Sequence, residues 1–207
     1  MLGSKTVPFV IIMNTIEKKE VAWYVLRVTY QREITASKVL EELKIEHYVP
    51  TIRTRIRNEN GVSIGWKTEP LVHNYIFIHD SYENILKIKQ GKLDYLRFMM
   101  GKDDSGMMSV PQYVTDKQMS DFMKVASTTG SKPVDPNIDL RKGDRVRVLT
   151  GHFEGVEGIF VRMPNRHENR VVVHIEGVAA VATQTLKASD VEKLEPPKKE
   201  KQKMYNI

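Results

Sequence analysis

The sequence contains no cysteine, only two tryptophans and no apolar run long enough to span a membrane. Without cysteine, a disulfide framework, a thiolate metal site and a cysteine nucleophile are excluded. The apolar stretch at residues 7–13 is short, contains Pro8 and precedes no small-residue cleavage pattern, so it does not resemble a signal peptide. We therefore expect a cytoplasmic protein without membrane contact, in which residues 1–20 form a disordered leader. Whether translation starts at Met1 or Met13 stays open.

Most of the chain also lacks a strong excess of charge. The net charge is +6, but residues 196–207 carry four lysines and one glutamate, and residues 1–20 carry three lysines and two glutamates. The body between them has a net charge of only +2, so binding of nucleic acid must depend on a local patch. We expect the basic tail at residues 196–207 to be a disordered, solubilising end.

Patterns that support catalysis or metal binding are missing. The six histidines have no zinc-binding spacing, and there is no phosphate-binding glycine loop or nucleophile elbow. Asp103 and Asp104 supply too few oxygen ligands for calcium. The sequence thus predicts a protein that is not an enzyme and that holds neither cofactor nor metal.

Two regions of different periodicity flank a segment rich in small residues, glycine and proline at residues 127–137, which we expect to be a linker. Residues 21–126 contain predicted strands interleaved with amphipathic helices, which indicates an α+β sandwich with one sheet. Within this region we predict a hairpin turn at Asn60-Gly61, a strand from Tyr95 to Met100, helix caps at Asp80 or Ser81 and at Thr115 with Gln118, and an apolar helix stripe at Ala36, Val39, Leu40 and Leu43. Residues 138–195 contain ten valines between Gly143 and Leu194 and four or five short predicted strands. A small β-barrel is the expected solution, because an open sheet of this size leaves edges and too little core.

The segment from Gly143 to Gly158 reads GDRVRVLTGHFEGVEG and resembles the KOW motif, which opens a small SH3-like barrel. Gly151 and Gly155 would permit a tight loop with positive φ, and Gly158 would permit close backbone approach. The alternative is another small β-barrel with glycine turns.

The first region resembles the amino-terminal domain of the NusG family of transcription elongation factors. Trp23-Tyr-Val25 resembles its opening strand, Tyr48-Val-Pro50 the strand after the first helix, and residues 69–79 the central strand. Asn74-Tyr75, Met107-Met-Ser-Val-Pro111, residues 116–122, Val171-Val-Val and residues 175–181 are closer to RfaH-like and UpxY-type specialised antiterminators. Together these segments span about residues 21–195.

This resemblance implies binding to the clamp helices of RNA polymerase through an apolar depression. It places Tyr75 at the centre, with Phe77 on the same strand face and Val72 in the preceding turn. The alternative is that Tyr75 and Phe77 fill the core between sheet and helix. Family members carry phenylalanine and proline where this chain has Val72 and His73, which affects the shape of the contact.

Two polar groups are candidates for contact with upstream or non-template DNA. Arg53, Arg55 and Arg57 alternate along one face of a predicted hairpin strand, although a solvated outer face is the competing interpretation. By resemblance, Gln31, Arg32 and Thr35 at the start of the first helix form the second group.

In the second region, Phe153 matches an aromatic position on the surface by which relatives bind a ribosomal protein or Rho. The alternative is that Phe153 packs across the barrel mouth. Housekeeping NusG has Ile-Phe-Gly-Arg where this chain has Ile175-Glu-Gly-Val178. The acidic residue removes a large apolar anchor, so we do not expect Rho recruitment, whereas contact with a ribosomal protein stays open.

These observations predict a monomeric, operon-specific elongation and antitermination factor. A ribosome- or RNA-binding KOW protein is the alternative, in which the basic tail matters and Tyr75 does not. The target operons, the need for a DNA recruitment signal, and docking or refolding of the second region are not determined by the sequence.

Overall fold

A computed structural model describes residues 21–102, 107–128, 132–134, 143–163, 168–175 and 177–194. The chain divides into two compact units between Met119 and Ser120. The predictions for residues 1–20, Asp103, Asp104, Glu176 and residues 196–207 lie outside the described residues. None of the helices in the described ranges is both long and apolar enough to cross a membrane.

In its described residues, the first unit has nine short strands, two α-helices and the start of a third α-helix. The strands are β1 (Ala22–Val28), β2 (His47–Tyr48), β3 (Thr51–Arg57), β4 (Ser63–Pro70), β5 (Tyr75–Asp80), β6 (Leu96–Phe98), β7 (Met100–Lys102), β8 (Ser109–Pro111) and β9 (Tyr113–Val114). The helices are α1 (Glu33–Glu42), α2 (Tyr82–Lys89) and α3 (Asp116–Ser127). Strands β2, β5, β1 and β6 form one antiparallel sheet in that order, and β9 also pairs with β1.

One face of this sheet is covered by the first two helices. Alternate residues of β1 and β5 point to this face, as the strand period requires. They pack with Ala36 and Leu40 of α1 and with Ile85 of α2 in a single buried cluster. The predicted α1 stripe is confirmed at these two positions, whereas Leu43 follows the helix and is 50% exposed. The sheet and helices therefore form the predicted α+β arrangement.

Hydroxyl groups cap the two later helices, as the sequence predicts. The Ser81 hydroxyl accepts a hydrogen bond from the Asn84 backbone N–H at the start of α2, at 3.3 Å. The Thr115 hydroxyl accepts one from the Gln118 N–H at the start of α3, also at 3.3 Å. Each bond satisfies a backbone donor that has no partner within its helix.

Strands β3 and β4 form a two-stranded sheet of their own. The predicted turn is present: Asn58 Oδ1 accepts hydrogen bonds from the N–H groups of Asn60 and Val62, and Gly61 has a φ of 76°. At the base, the Leu71 N–H donates to the Pro50 carbonyl at 2.8 Å. The hairpin is thus held by its own ladder and by local turn bonds.

The second unit contains a six-stranded antiparallel sheet. Its strands are β10 (Lys132–Val134), β11 (Asp144–Val148), β12 (Glu157–Arg162), β13 (Asn169–Ile175), β14 (Ala179–Ala182) and β15 (Val191–Lys193). Their order is β10, β14, β13, β12, β11, β15. Valines and alanines of the central strands are buried, including Val172, Ala180 and Ala182 in one cluster.

The glycine predictions for the opening of this sheet are confirmed. Gly151 and Gly155 have φ values of 78° and 81°. A Cβ on Gly158 would lie 2.5 Å from the Val172 carbonyl oxygen, so β12 approaches β13 more closely there than any side chain allows.

Two details differ from the prediction. Lys132–Val134 lies inside the expected linker but pairs with β14. Pro133 is compatible with this position because β10 is at the edge of the sheet, where a missing N–H is tolerated. The strand predicted from Tyr95 to Met100 is divided into β6 and β7, which belong to different sheets.

Candidate functional site

Tyr75 is the first residue of β5 and is half-buried. It lies opposite Arg27 of β1, which in turn lies opposite Arg97 of β6, so the three side chains share one row and one face of the sheet. Both arginines are exposed. Within the described chain, the Tyr75 hydroxyl has no hydrogen-bond partner. The row thus presents an aromatic ring beside two cations.

The turn before Tyr75 is held by a hydrogen bond to the buried carboxylate of Glu33. Glu33, in the first turn of α1, is 0% exposed, and its Oε1 accepts a hydrogen bond from the Asn74 N–H. Asn74 has a φ of 69°, a conformation that asparagine tolerates better than most residues. The Asn74 carbonyl also accepts from the Val28 N–H at 2.8 Å. These bonds set the direction in which β5 begins, and the sequence pattern gave no indication of the role of Glu33.

Phe77 was expected to share the docking surface, and the structure corrects this expectation. Its side chain is 0% exposed, and its ring centroid lies 6.5 Å from that of Tyr48. Phe77 and Tyr75 do share a face, but the middle of that face is buried, and only its two ends, at Tyr75 and His79, are half-buried. Val72 lies in the turn before β5 and is half-buried, as predicted. Tyr75 and Val72 therefore remain candidates for direct contact, while Phe77 supports them from the core.

Burial raises the pKa of Tyr48 to about 12, against about 10 for an exposed phenol. Between about pH 10 and pH 12, the Tyr48 hydroxyl therefore stays neutral in the folded protein but ionises in the unfolded chain. Stability from this group is complete below pH 10 and is lost as the pH rises toward 12. We expect Tyr48→Phe to lose less stability than wild type between about pH 9 and pH 11 in urea unfolding. An equal loss in both proteins would contradict this assignment.

Arg53 and Arg55 are exposed on one face of the β3–β4 hairpin, as predicted. Arg57 is exposed as well, but it follows a register irregularity between Ile56 and Arg57, and its Nη1 donates a hydrogen bond to the Gly61 carbonyl at 3.3 Å. Trp66 of β4 lies directly opposite Arg55 and is 53% exposed. The guanidinium carbons of Arg53 and Arg55 lie 5.6 and 5.0 Å from the centre of an indole ring of Trp66. The sequence showed Trp66 only as part of the return strand. The register irregularity between Ile56 and Arg57 brings it opposite Arg55, and no local pattern indicated that shift.

The other polar group lies between β1 and α1. Gln31 and Thr35 are exposed, but Arg32 is half-buried and stacks on Tyr95 with its guanidinium carbon 3.7 Å from the ring centre. The neighbouring Tyr30 is 86% exposed, and both Tyr30 and Gln31 have positive φ. The structure therefore leaves Gln31 and Thr35 accessible to a ligand, whereas Arg32 is engaged in a local contact.

Phe153 was expected on a partner-binding surface, and this expectation is also corrected. The short 3₁₀ turn at Gly151–Phe153 directs the ring inward, so Phe153 is 4% exposed. On the strands of the same unit, Arg147 donates two hydrogen bonds to Glu157 Oε1 and one to Glu192 Oε1, at 2.9–3.2 Å. The hydrogen bonds to Glu157 are the main reason that the pKa of Arg147 is raised. Phe153 is therefore a packing residue, which was the alternative interpretation to a position on a partner-binding surface.

No group of three or more histidine, aspartate or glutamate residues in the described ranges is arranged to hold a metal ion.

Comparison with known proteins identifies the first part of the chain. Residues 21–123 match the NusG family model, described as transcription termination factor nusG. A solved structure titled "Domain interaction in Thermotoga maritima NusG" is 21% identical, with 85% of this chain and 98% of that chain covered and a TM-score of 0.41. Proteins of the NusG family are transcription factors and not enzymes. The part of the chain that is similar to the NusG family, residues 21–123, carries Tyr75, the arginine hairpin and the buried Glu33.

Proposed function

We propose that this protein is a transcription elongation and antitermination factor that binds the clamp helices of RNA polymerase and suppresses pausing and termination. NusG family factors bind RNA polymerase, and the family domain covers residues 21–123. The effect is stoichiometric: binding energy favours the elongating state of the polymerase over the paused state. We further propose that it acts in the cytoplasm, as a monomer, on particular operons.

Tyr75 carries this proposal. Its ring is partly exposed, its hydroxyl has no partner in the described chain, and two exposed arginines lie in the same row. Tyrosine and arginine are the residue types that dominate binding energy at protein interfaces. Val72, which is half-buried in the turn before β5, adds an apolar side chain to the proposed docking surface. A partner helix pair with an apolar ridge and nearby carboxylates would complement this combination.

Nucleic acid is the second proposed partner. The exposed side chains of Gln31 and Thr35, with Arg32 between them, form one candidate contact with upstream or non-template DNA. The arginine face of the hairpin forms the other. Both lack the continuous positive surface of a duplex-binding protein, so we propose that they guide a strand presented by the polymerase.

For the second unit we propose a KOW SH3-like barrel that contacts a ribosomal protein and does not recruit Rho. The glycines at positions 151, 155 and 158 have the conformations that such a motif needs. Because Phe153 is buried, the contact would use the charged strand faces and loops.

The test is retention on purified core RNA polymerase. We expect Tyr75→Ala to weaken binding about 30-fold, which corresponds to a loss of about 2 kcal/mol at an interface anchor. Tyr113→Ala is the matched control, because Tyr113 is a partly exposed tyrosine on β9, outside the Tyr75 row. It should bind as wild type does.

Unchanged binding by Tyr75→Ala would overturn the proposed docking surface. If deletion of residues 196–207 then abolished RNA binding, the ribosome- or RNA-binding interpretation would replace it. In vitro transcription through a terminator, with and without the protein, tests the activity itself.

A further inference from the structure

The two faces of the β3–β4 hairpin differ in how their charges are compensated. On one face, Lys67 forms an ion pair with Glu69 at 2.6 Å, and the Thr54 hydroxyl donates to the same carboxylate at 2.8 Å. On the other face, no ion pair involves Arg53, Arg55 or Arg57 in the part of the chain that the structure describes. The positive charge of the hairpin is therefore concentrated on the arginine face.

Trp66 lies at the centre of that face with much of its ring uncovered. The two nearest guanidinium carbons are 5.0 and 5.6 Å from a ring centre. In the close stack of Arg32 on Tyr95, the same distance is only 3.7 Å. The guanidiniums of Arg53 and Arg55 therefore lie over an indole ring at distances longer than in a close stack, and 53% of the tryptophan surface is exposed. A partly exposed aromatic ring, beside cations that form no ion pair in the described chain, remains available to a ligand.

We propose that the face formed by Arg53, Arg55, Arg57 and Trp66 binds a single strand of nucleic acid. One base stacks on Trp66, and adjacent phosphates contact the arginines. Alternate residues of a strand are about 6.8 Å apart, so the backbone positions of the three arginines span about 14 Å along β3. A positive track with an aromatic platform is the arrangement by which proteins hold unpaired strands.

A single strand of nucleic acid fits both the charge and the shape of this hairpin face. A duplex satisfies the arginines but keeps its bases stacked inside, so it leaves Trp66 unused. An acidic peptide supplies carboxylates but lacks the flat ring that fits an exposed indole. The inference extends the nucleic-acid contact of the proposed function and rests on it, but it does not require polymerase binding through Tyr75.

The test measures binding of fluorescent oligomers of about 12 nucleotides to the full chain. The probes are oligothymidylate, oligouridylate, an abasic sugar–phosphate oligomer and a DNA duplex. We expect Trp66→Ala to weaken binding to the preferred single strand about 5- to 150-fold without changing the dependence on salt. Arg55→Gln should lower the slope of log K against log salt by about 0.7. If oligothymidylate binds more tightly, the strand is DNA; if oligouridylate binds more tightly, the strand is RNA.

Three further variants separate stacking from other causes. Trp66→Thr keeps a residue that favours strands but removes the ring, so it should repeat the effect of Trp66→Ala. Ile52→Ala removes an exposed apolar side chain from the opposite face of the same hairpin and should bind as wild type does. Lys67→Gln changes the net charge as Arg55→Gln does, but on the opposite face, and should leave the salt slope unchanged.

The inference is overturned if both Trp66 variants bind the single strands as tightly as wild type. It is equally overturned if wild type binds the abasic oligomer as tightly as oligothymidylate, or the duplex more tightly than the single strands. If one of these results is obtained and Tyr75→Ala does lose polymerase binding, only the strand-binding inference is refuted and the proposed docking surface stands. Intact binding of Tyr75→Ala alongside Trp66-dependent stacking would remove only the proposed docking surface.

Discussion

Replacement of Gly158 by alanine is expected to destabilise the six-stranded sheet by about 3 kcal/mol or more. The new Cβ would lie 2.5 Å from the Val172 carbonyl oxygen and 2.8 Å from Val171 Cγ1. Because the nearest atom belongs to the backbone, the clash is relieved only by separating β12 from β13. That separation weakens the ladder that pairs Ile159 with Val172.

Valine methyl NMR during urea titration is the suitable measurement, because both tryptophans, Trp23 and Trp66, lie in the first unit. Gly65→Ala provides the control: it is also a strand glycine, but the nearest atom to its added Cβ is Ile56 Cδ1 at 3.9 Å. This variant should be as stable as wild type. Equal unfolding midpoints for Gly158→Ala and wild type would refute the close approach of β12 and β13.

Replacement of Phe77 by alanine is expected to lower the free energy of unfolding by about 3–5 kcal/mol. The ring is 0% exposed, pairs across the sheet with the equally buried Val25 and lies beside Tyr48. Its removal leaves a cavity that a sheet paired on both sides of β5 cannot close. A loss of this size is a large part of the 5–15 kcal/mol that stabilises a typical domain.

Tyr75→Ala is the matched comparison, because it changes an aromatic residue two positions earlier on the same face. Its half-buried ring contributes less packing, so the stability loss should be smaller, while the loss of polymerase binding should be greater. Tryptophan fluorescence during urea unfolding measures the stability loss, and retention on RNA polymerase measures the loss of binding. Comparable stability losses in both variants would show that the Tyr75 ring is also part of the core, and the binding result would then need reinterpretation.

Local patterns were sufficient to predict most elements of the first unit. The stripe at Ala36 and Leu40, the caps at Ser81 and Thr115, and the Asn60-Gly61 turn each follow from neighbouring residues alone. The two expectations for exposed aromatic rings, Phe77 and Phe153, failed for a different reason. Burial depends on what covers a sheet face or a turn, and this information lies in distant parts of the chain.

The strand at Lys132–Val134 escaped prediction because three residues with a proline carry no periodicity. Its pairing with β14 is a long-range contact that local propensity does not encode. Glu33 illustrates the same limit: a glutamate in the first turn of a helix is ordinary, and only the fold brings it beneath Asn74. Trp66 and Arg55 are a further case: the register irregularity between Ile56 and Arg57 shifts the pairing by one residue, so the turn alone would have placed Gly65 opposite Arg55.

The ladder of β3 and β4 includes no other strand of the described chain. An arm that forms hydrogen bonds only with itself can be lengthened, shortened or replaced while the parent sheet keeps its alignment. Substitutions that alter the proposed strand contact would therefore cost little stability in the parent sheet. Exchange of the whole arm between two such domains would test whether the proposed contact moves with it.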